Sequence, residues 1–538
     1  MDALSMDYPL TLPALLRRAR DHHARKAIVS RRPDGTLHRG TWGTTLGRAE
    51  RLAAALRRLG GVPGDRVATL CWNHDRHLEA YCGVAMLGAV LHTLNLRLHP
   101  DELAFIAADA GDRVLLVDED LLALAQAVVP RTAIREVVVI RHREPLPAGW
   151  HDYEALLAPE ATGQAWAEPE EGSPAAICYT SGTTGAPKGV VYSHRALALH
   201  SLVQGGVDVF GLREADVILP IVPMFHANAW GLPYSAALFG ASLVLPGRQT
   251  DPASIVELLT TEGVTFAAGV PTVWIGVLSH LDAAPVGSAL DALRLILIGG
   301  AAVPASLIRG FADRHGVEVR HAWGMTELAP VGTVGLVNSA YRASAPEVQL
   351  ARRLRQGEPA PFLEVRGRNE QGLIPWDDET VGELEVRGPW VAAGYHGAGR
   401  GGGSFTGDGW FRTGDVVSID PLGSVQIRDR AKDLVKSGGE WISSVALENQ
   451  LMGHPAVLEA AVVAVPHPRW QERPLAAVVL REGTPATEEA LRAHLAAHVP
   501  TWWLPDAIVF VPQLPKTSTG KFLKTALREQ FRGHYAPG

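Results

Sequence analysis

Short apolar runs rich in Val, Ile and Leu alternate with amphipathic stretches through most of this chain, and few folds accommodate that rhythm. The runs lie at 66–70, 113–117, 136–140, 175–179, 217–222, 242–245, 293–298 and 317–321. Each is too short for a buried helix and too uniformly apolar for a strand with one wet face. Between them Leu52, Leu56 and Leu59 recur at helical spacing, with Gly60 placed to end that helix. Strands apolar on both faces and separated by helices assemble into mostly parallel sheets covered on both sides. The expected fold is therefore α/β. Residues 381–387 and 414–428 read differently, as glycine-punctuated alternating strands, and predict a small β subdomain closing the large one.

A second unit is expected after Arg428. Residues 456–465 and 475–480 read as a strand pair, 487–498 as a helix and 507–511 as a further strand. This pattern predicts a small α+β unit. The expected division is a large domain over 1–428, a hinge over 429–434 and a small mobile domain over 435–538. The hinge residues are few and charged, which suits a pivot better than a tether.

At 538 residues and 47% hydrophobic, the chain can bury a large core without disulfides or a structural metal. Its three cysteines, Cys71, Cys82 and Cys178, form no disulfide framework, so a cytoplasmic location is expected. No apolar run approaches the roughly 20 residues that span a bilayer, so no integral membrane segment is expected. A formal net charge of −7 gives no reason to expect nucleic acid as a partner. Any polyanion must instead be met by positive charge gathered in one pocket.

The richest local signal follows the run at 175–179. Thr180, Ser181, Gly182, Thr183, Thr184, Gly185 and Lys188 combine hydroxyls, a lysine and glycines that free the backbone to turn its N–H groups toward an anion. A Walker loop fits poorly, because Pro187 precedes the lysine and Gly189 stands where Ser or Thr belongs. The loop suits polyphosphate by another arrangement.

Four further segments join it: Met224-Phe225-His226, Trp323-Gly324-Met325-Thr326-Glu327, Trp410-Phe411-Arg412-Thr413-Gly414-Asp415, and Pro515-Lys516-Thr517-Ser518-Thr519-Gly520-Lys521. In content and order the five resemble the adenylate-forming superfamily of acyl- and aryl-CoA synthetases, luciferase and peptide-synthetase adenylation domains. The resemblance covers nearly the whole chain and is greatest to medium- and long-chain fatty acyl-CoA synthetases. It implies ATP-dependent activation of a carboxylic acid as an acyl-adenylate, followed by transfer to coenzyme A, with ATP, Mg²⁺ and CoA taking part. Such chemistry concentrates negative charge on phosphoryl oxygens and calls for cations and donors rather than covalent catalysis.

Residue by residue, the resemblance implies Lys521, Glu327 and His226 as catalytic, with Thr180 and Glu327 on the metal. It implies a nucleotide site of the loop together with Gly299, Gly300, Ala301, Trp323, Gly324, Thr326, Asp415, Arg430, Lys432, Lys436 and Trp441. Asp415 would accept the ribose hydroxyls. Gly438 and Gly439 would let the CoA arm pass, on the opposite face of a small domain that rotates between two half-reactions. A homodimer is the assembly it suggests.

For the acid, Ala227, Trp230, Gly231 and Val270 supply an apolar or small lining. No Asp or Glu lies between Asp216 and Asp251 to pair an amino acid's ammonium, which disfavours amino acids. An aryl or other small acid stays open on the same scaffold. A rival zinc module, Cys71, His74, His77 and Cys82, has ligand-like content.

Overall fold

The computed structural model describes residues 5–535 apart from 144, 181–186, 284–289, 399–402, 439 and 518–520. Two largely parallel sheets form the large unit. In the first, Ala27–Arg31, Ser242–Leu245, Val217–Pro220, Phe266–Gly269, Leu295–Gly299 and Glu318–Gly324 run parallel in that order. Antiparallel strands close both its edges, Leu37–Thr41 on one and Val331–Val334 with Glu358–Pro359 on the other. In the second, Arg66–Leu70, Val90–Thr93, Val114–Asp118, Glu136–Ile140, His151–Asp152 and Pro174–Tyr179 are parallel. Gly189–Ser193 returns antiparallel along Pro174–Tyr179.

The uniform apolarity of these strands has the expected cause. Leu295 and Leu297 face one core while Ile296 and Ile298 face another, so successive residues are buried on opposite sides. Leu116 and the pair Leu115 and Val117 divide in the same way. The run at 217–222 ends as a strand at Pro220, because Ile221 and Val222 both turn their N–H groups to the Ala268 carbonyl. The run at 293–298 begins as a strand only at Leu295, since Leu293 closes a turn onto Leu290.

The β subdomain is an antiparallel sheet of Gly372–Leu373, Glu364–Asn369, Gly382–Arg387, Phe411–Ile419 and Val425–Arg430. Its last strand contains Asp429 and Arg430, the first two residues of the expected hinge, paired with Val416 and Asp415. Residues 431–434 lead from this strand to the first strand of the small unit, Val435–Ser437. They form a turn in which Asp433 and Leu434 donate to the Arg430 carbonyl at 2.8 and 3.0 Å.

The small unit is a mixed sheet of Val435–Ser437, Glu440–Ile442, Val457–His467, Gln471–Leu480 and Ala507–Phe510. Ser444–Met452 and Glu488–Ala496 cover one face and Lys524–Phe531 the other. No helix among the described residues is long and apolar enough to cross a membrane.

A buried charge cluster ties this unit to the end of the large one. The Lys524 ammonium meets Glu448 and the Ser444 hydroxyl, each at 2.7 Å. Ser444 in turn donates through N–H and O–H to Asp429 at 2.6 and 2.7 Å. Burial pushes both carboxyls up, and burial alone would lower Lys524, but the two carboxylates outweigh it and raise the ammonium. Removing one partner of a buried set leaves the others uncompensated, at about 3–5 kcal/mol. Lys524→Met is therefore expected to lower the small unit's denaturant midpoint at neutral pH. The deficit should narrow toward pH 5 as Glu448 and Asp429 take up protons. Fluorescence-monitored unfolding at both pH values checks this.

Candidate active site

The carboxyl ends of the parallel strands open on a cavity of about 950 Å³, where open α/β sheets generally bind their ligands. Thr180 follows Pro174–Tyr179, Val270 follows Phe266–Gly269, and Gly299 and Gly324 end their strands there. Trp323, Thr326, Glu327, Lys188, Gly300, His226, Ala227 and Trp230 complete much of the wall. Arg430 and Lys432 reach it from the junction and Lys521 from the small unit. Residues some 340 positions apart (521 − 180) thus meet in one space.

The glycine- and hydroxyl-rich loop is held shut at its base. Thr180 N–H donates to the Lys188 carbonyl at 3.0 Å, and Lys188 N–H donates back to the Thr180 hydroxyl at 3.3 Å. Ser181, Gly182, Thr183, Thr184 and Gly185 lie outside the described residues. Lys188 Nζ stands 4.8 Å over the ring of Tyr395, whose hydroxyl donates to Glu327 Oε1 at 2.8 Å. Glu327 is 6% exposed, and among the described residues no hydrogen bond or ion pair reaches its Oε2. A hydroxyl and a carboxylate on one wall are hard oxygen donors, which fits a Mg²⁺-like cation.

Asp415 does not face the cavity as an open acceptor. It is buried, accepts the Trp323 indole N–H at 2.9 Å and pairs through its other oxygen with Arg430 at 2.8 Å. Gly414 beside it lines the wall, and Lys432 is lowered by burial.

Lys521 extends across Gly300, where a Cβ would lie 3.4 Å from its Cε. Burial and then the nearby Arg430 charge pull the ammonium down to about 8. Beside it His226 is lowered to about 3, by burial first and the Lys521 charge second, so its imidazole is neutral at working pH.

The apolar end is built on an unusual turn. Ala227, Asn228, Ala229 and Trp230 all have left-handed φ, from 37 to 56°, followed by Gly231 at 77°. Each non-glycine residue there costs on the order of 1–2 kcal/mol. The turn is held by Gln204, which donates to the Trp230 carbonyl at 2.7 Å, and by Cys178, which donates to Asn228 Oδ1. Trp230 lies against Gly299, where a Cβ would sit 3.2 Å from the indole.

Several expected residues lie elsewhere. Gly231 is buried behind the wall, where a side chain would strike His200 at 2.6 Å, so it serves the turn. Ala301 is exposed outside the cavity. Lys436 and Trp441 pair with each other 4.8 Å apart on the small unit's surface, away from the cavity. Gly438 packs on Trp470 nearby, and Gly439 lies outside the described residues. The zinc set does not converge. His77 is bonded to Thr69 and the Trp72 carbonyl, and Cys71 and His74 meet Asp118 instead. His74 has both ring nitrogens engaged, by His77 N–H and by Asp118. Tyr395, Glu383 and Asp109 line the cavity without having been expected, since none stands in a chemically distinctive stretch.

Residues 15–396 match the AMP-binding enzyme family, and residues 446–521 match the AMP-binding enzyme C-terminal domain. The chain is 50% identical over 534 residues to a long-chain-fatty-acid–CoA ligase of Thermus thermophilus, covering 98% of this chain and 97% of that one. It is 43% identical to a 3-methylmercaptopropionyl-CoA ligase of Ruegeria lacuscaerulensis, covering 98% of each. Among solved structures, an anthranilate CoA ligase in complex with anthranoyl-AMP superposes with a TM-score of 0.88 at 26% identity, covering 99% of both chains. With its strand-end cavity and its matches over nearly the full length, the chain belongs to the AMP-binding enzyme family.

Proposed function

We propose that this enzyme joins a fatty acid to coenzyme A at the expense of ATP, through an acyl-adenylate, releasing pyrophosphate and AMP. One observation carries the reading: a half-buried lysine from the small unit, Lys521, enters the same cavity as the loop lysine Lys188 and the carboxylate Glu327. In the first half-reaction the acid's carboxylate attacks the α-phosphorus and pyrophosphate leaves. Lys521 stands to bridge the two negative reactants, and its charge gains value as negative charge gathers in the transition state. Lys188 and the loop hold the departing phosphates, and Trp323, Gly324 and Thr326 flank the nucleotide. Asp415 takes the ribose as Arg430 yields one of its oxygens. Neutral His226 flanks the carboxylate without competing for it as a cation.

Thr180 and Glu327 would hold Mg²⁺, which would neutralise phosphate charge. In the second half-reaction the small domain turns about 431–434, carrying Lys521 away and bringing Gly438 and Gly439 to the cavity for the CoA thiol. The apolar wall of Ala227, Trp230 and Val270 takes the acyl chain. Buried free cysteines support activity in the cytoplasm. An aryl acid is the second reading, favoured by the structural neighbour crystallised with anthranoyl-AMP. CoA-dependent AMP release across straight-chain acids, with benzoate and cinnamate alongside, tests the choice. Preference for aryl over all straight-chain acids would overturn the fatty-acid reading.

Three outcomes are expected. Lys521→Ala should lower ATP–pyrophosphate exchange by roughly 100-fold or more, the scale of one charge-stabilising contact. It should still convert a supplied acyl-adenylate and CoA to thioester, whereas equal loss in both assays would point to one fixed site. The free-enzyme ammonium is charged below about pH 8 and lost above it. Exchange kcat/KM should therefore fall above about pH 8, and Lys521→Arg should abolish that alkaline limb whatever its absolute rate. Trp230→Ala should alter chain-length preference while leaving the KM for ATP within about 2-fold, consistent with a residue on the acyl wall. A collapse in ATP binding with unchanged acid preference would place Trp230 with the nucleotide instead.

A further inference from the structure

We propose that Tyr395 is a positioning residue that holds Lys188 and Glu327 apart and aims the carboxylate at its cation. The inference rests on the reading of Glu327 as a metal-binding group. Tyr395 touches both partners at once: its hydroxyl donates to Glu327 Oε1 at 2.8 Å, and Lys188 Nζ stands 4.8 Å over its ring face. The segment around it is fastened at both ends to the same two elements. Ala392 N–H donates to the Glu327 carbonyl at 2.7 Å, and His396 N–H donates to the carbonyl of Gly189, next to Lys188, at 2.8 Å. Phe405 packs edge-on against the ring with centroids 6.5 Å apart. The phenol is thus fixed relative to both charges.

The arrangement answers an electrostatic problem of the ligand-free site. An ammonium and a carboxylate sharing one partly buried wall will pair, and a buried pair resists separation. Such a pair would have to be broken each time a phosphate claimed the lysine and a cation claimed the carboxylate. A ring face attracts an ammonium by about 0.5–2 kcal/mol, enough to park it and little enough for a phosphate to take it. The hydroxyl occupies Oε1 alone and so directs Oε2 toward the cation, as partners of metal-binding side chains commonly do.

Two variants separate the two duties. Tyr395→Phe keeps the ring and removes the hydroxyl; Tyr395→Leu removes both. Mg²⁺ is titrated into each protein by calorimetry with α,β-methylene-ATP bound, and pyrophosphate exchange is measured against Mg²⁺ and against ATP. Thermal midpoints confirm folding. Tyr395→Phe is expected to weaken Mg²⁺ binding about 10-fold, the usual effect of losing such a partner, with the KM for ATP within about 2-fold. Tyr395→Leu should show the same loss and, in addition, a KM for ATP raised about 5-fold or more as Lys188 pairs with Glu327. Glu327→Gln serves as the reference. If Glu327→Gln weakens Mg²⁺ binding and Tyr395→Phe does not, the positioning role is overturned while the metal reading stands. If Glu327→Gln leaves Mg²⁺ binding unchanged, the metal reading itself falls and the inference with it.

Discussion

A cation drawn out of water loses hydration, and in the cavity of this enzyme the carboxylates that act on Lys521 do not fully restore its stability. Lys521, Arg430 and Lys432 converge there, while Asp415 and Glu327 are the carboxylates that act on Lys521. Burial first and the Arg430 charge second weaken the ammonium, and the negative charge of a nucleotide triphosphate and a carboxylate would offset both. This resolves the contrast between an acidic chain and a polyanionic ligand: the positive charge is gathered locally at the cavity. It also requires an anchor, because a lysine driven into such a place must be held by other contacts. The cluster of Lys524, Glu448, Ser444 and Asp429 supplies one at the root of the small unit.

The two units supply different parts of the cavity. The large one provides walls fixed by strands buried on both faces, whose positions cannot drift without disturbing two cores at once. The small one provides Thr517, Lys521 and Phe522, beyond a four-residue turn closed by two hydrogen bonds. On the proposed rotation this turn reopens, and the buried contacts of Ser444 with Asp429 must part as well.

The parallel sheets were legible because burial on both faces leaves an unmistakable run of apolar residues, as at Leu295–Gly299. Strand ends were less so, since carbonyls such as that of Ala268 decide them from another strand. The short signatures pointed to residues that do meet in one cavity, including Thr180, Lys188, Trp323, Glu327 and Lys521. What sequence could not convey was which atoms are already engaged. Asp415 reads as an open acceptor, yet its partner Trp323 lies 92 positions away. Ala301 follows two glycines that line the wall and nevertheless faces out, because the chain turns at Gly300, where φ is 87°. Tyr395 carries no local signal at all, and its place is set by long-range contacts to Glu327 and Lys188.

The left-handed turn from Ala227 to Gly231 constrains how this enzyme can diverge. Branched side chains at Cβ are disfavoured at four successive positions, because they clash with the backbone when φ is positive. Valine, isoleucine and threonine are thereby disfavoured at 227–230, where Ala227 and Trp230 line the cavity. On the proposed acyl site, drift toward a new acid would pass through unbranched or aromatic replacements of Trp230, or through other cavity residues such as Val270. The handedness of a five-residue turn thus limits which side chains this stretch of the cavity wall can carry.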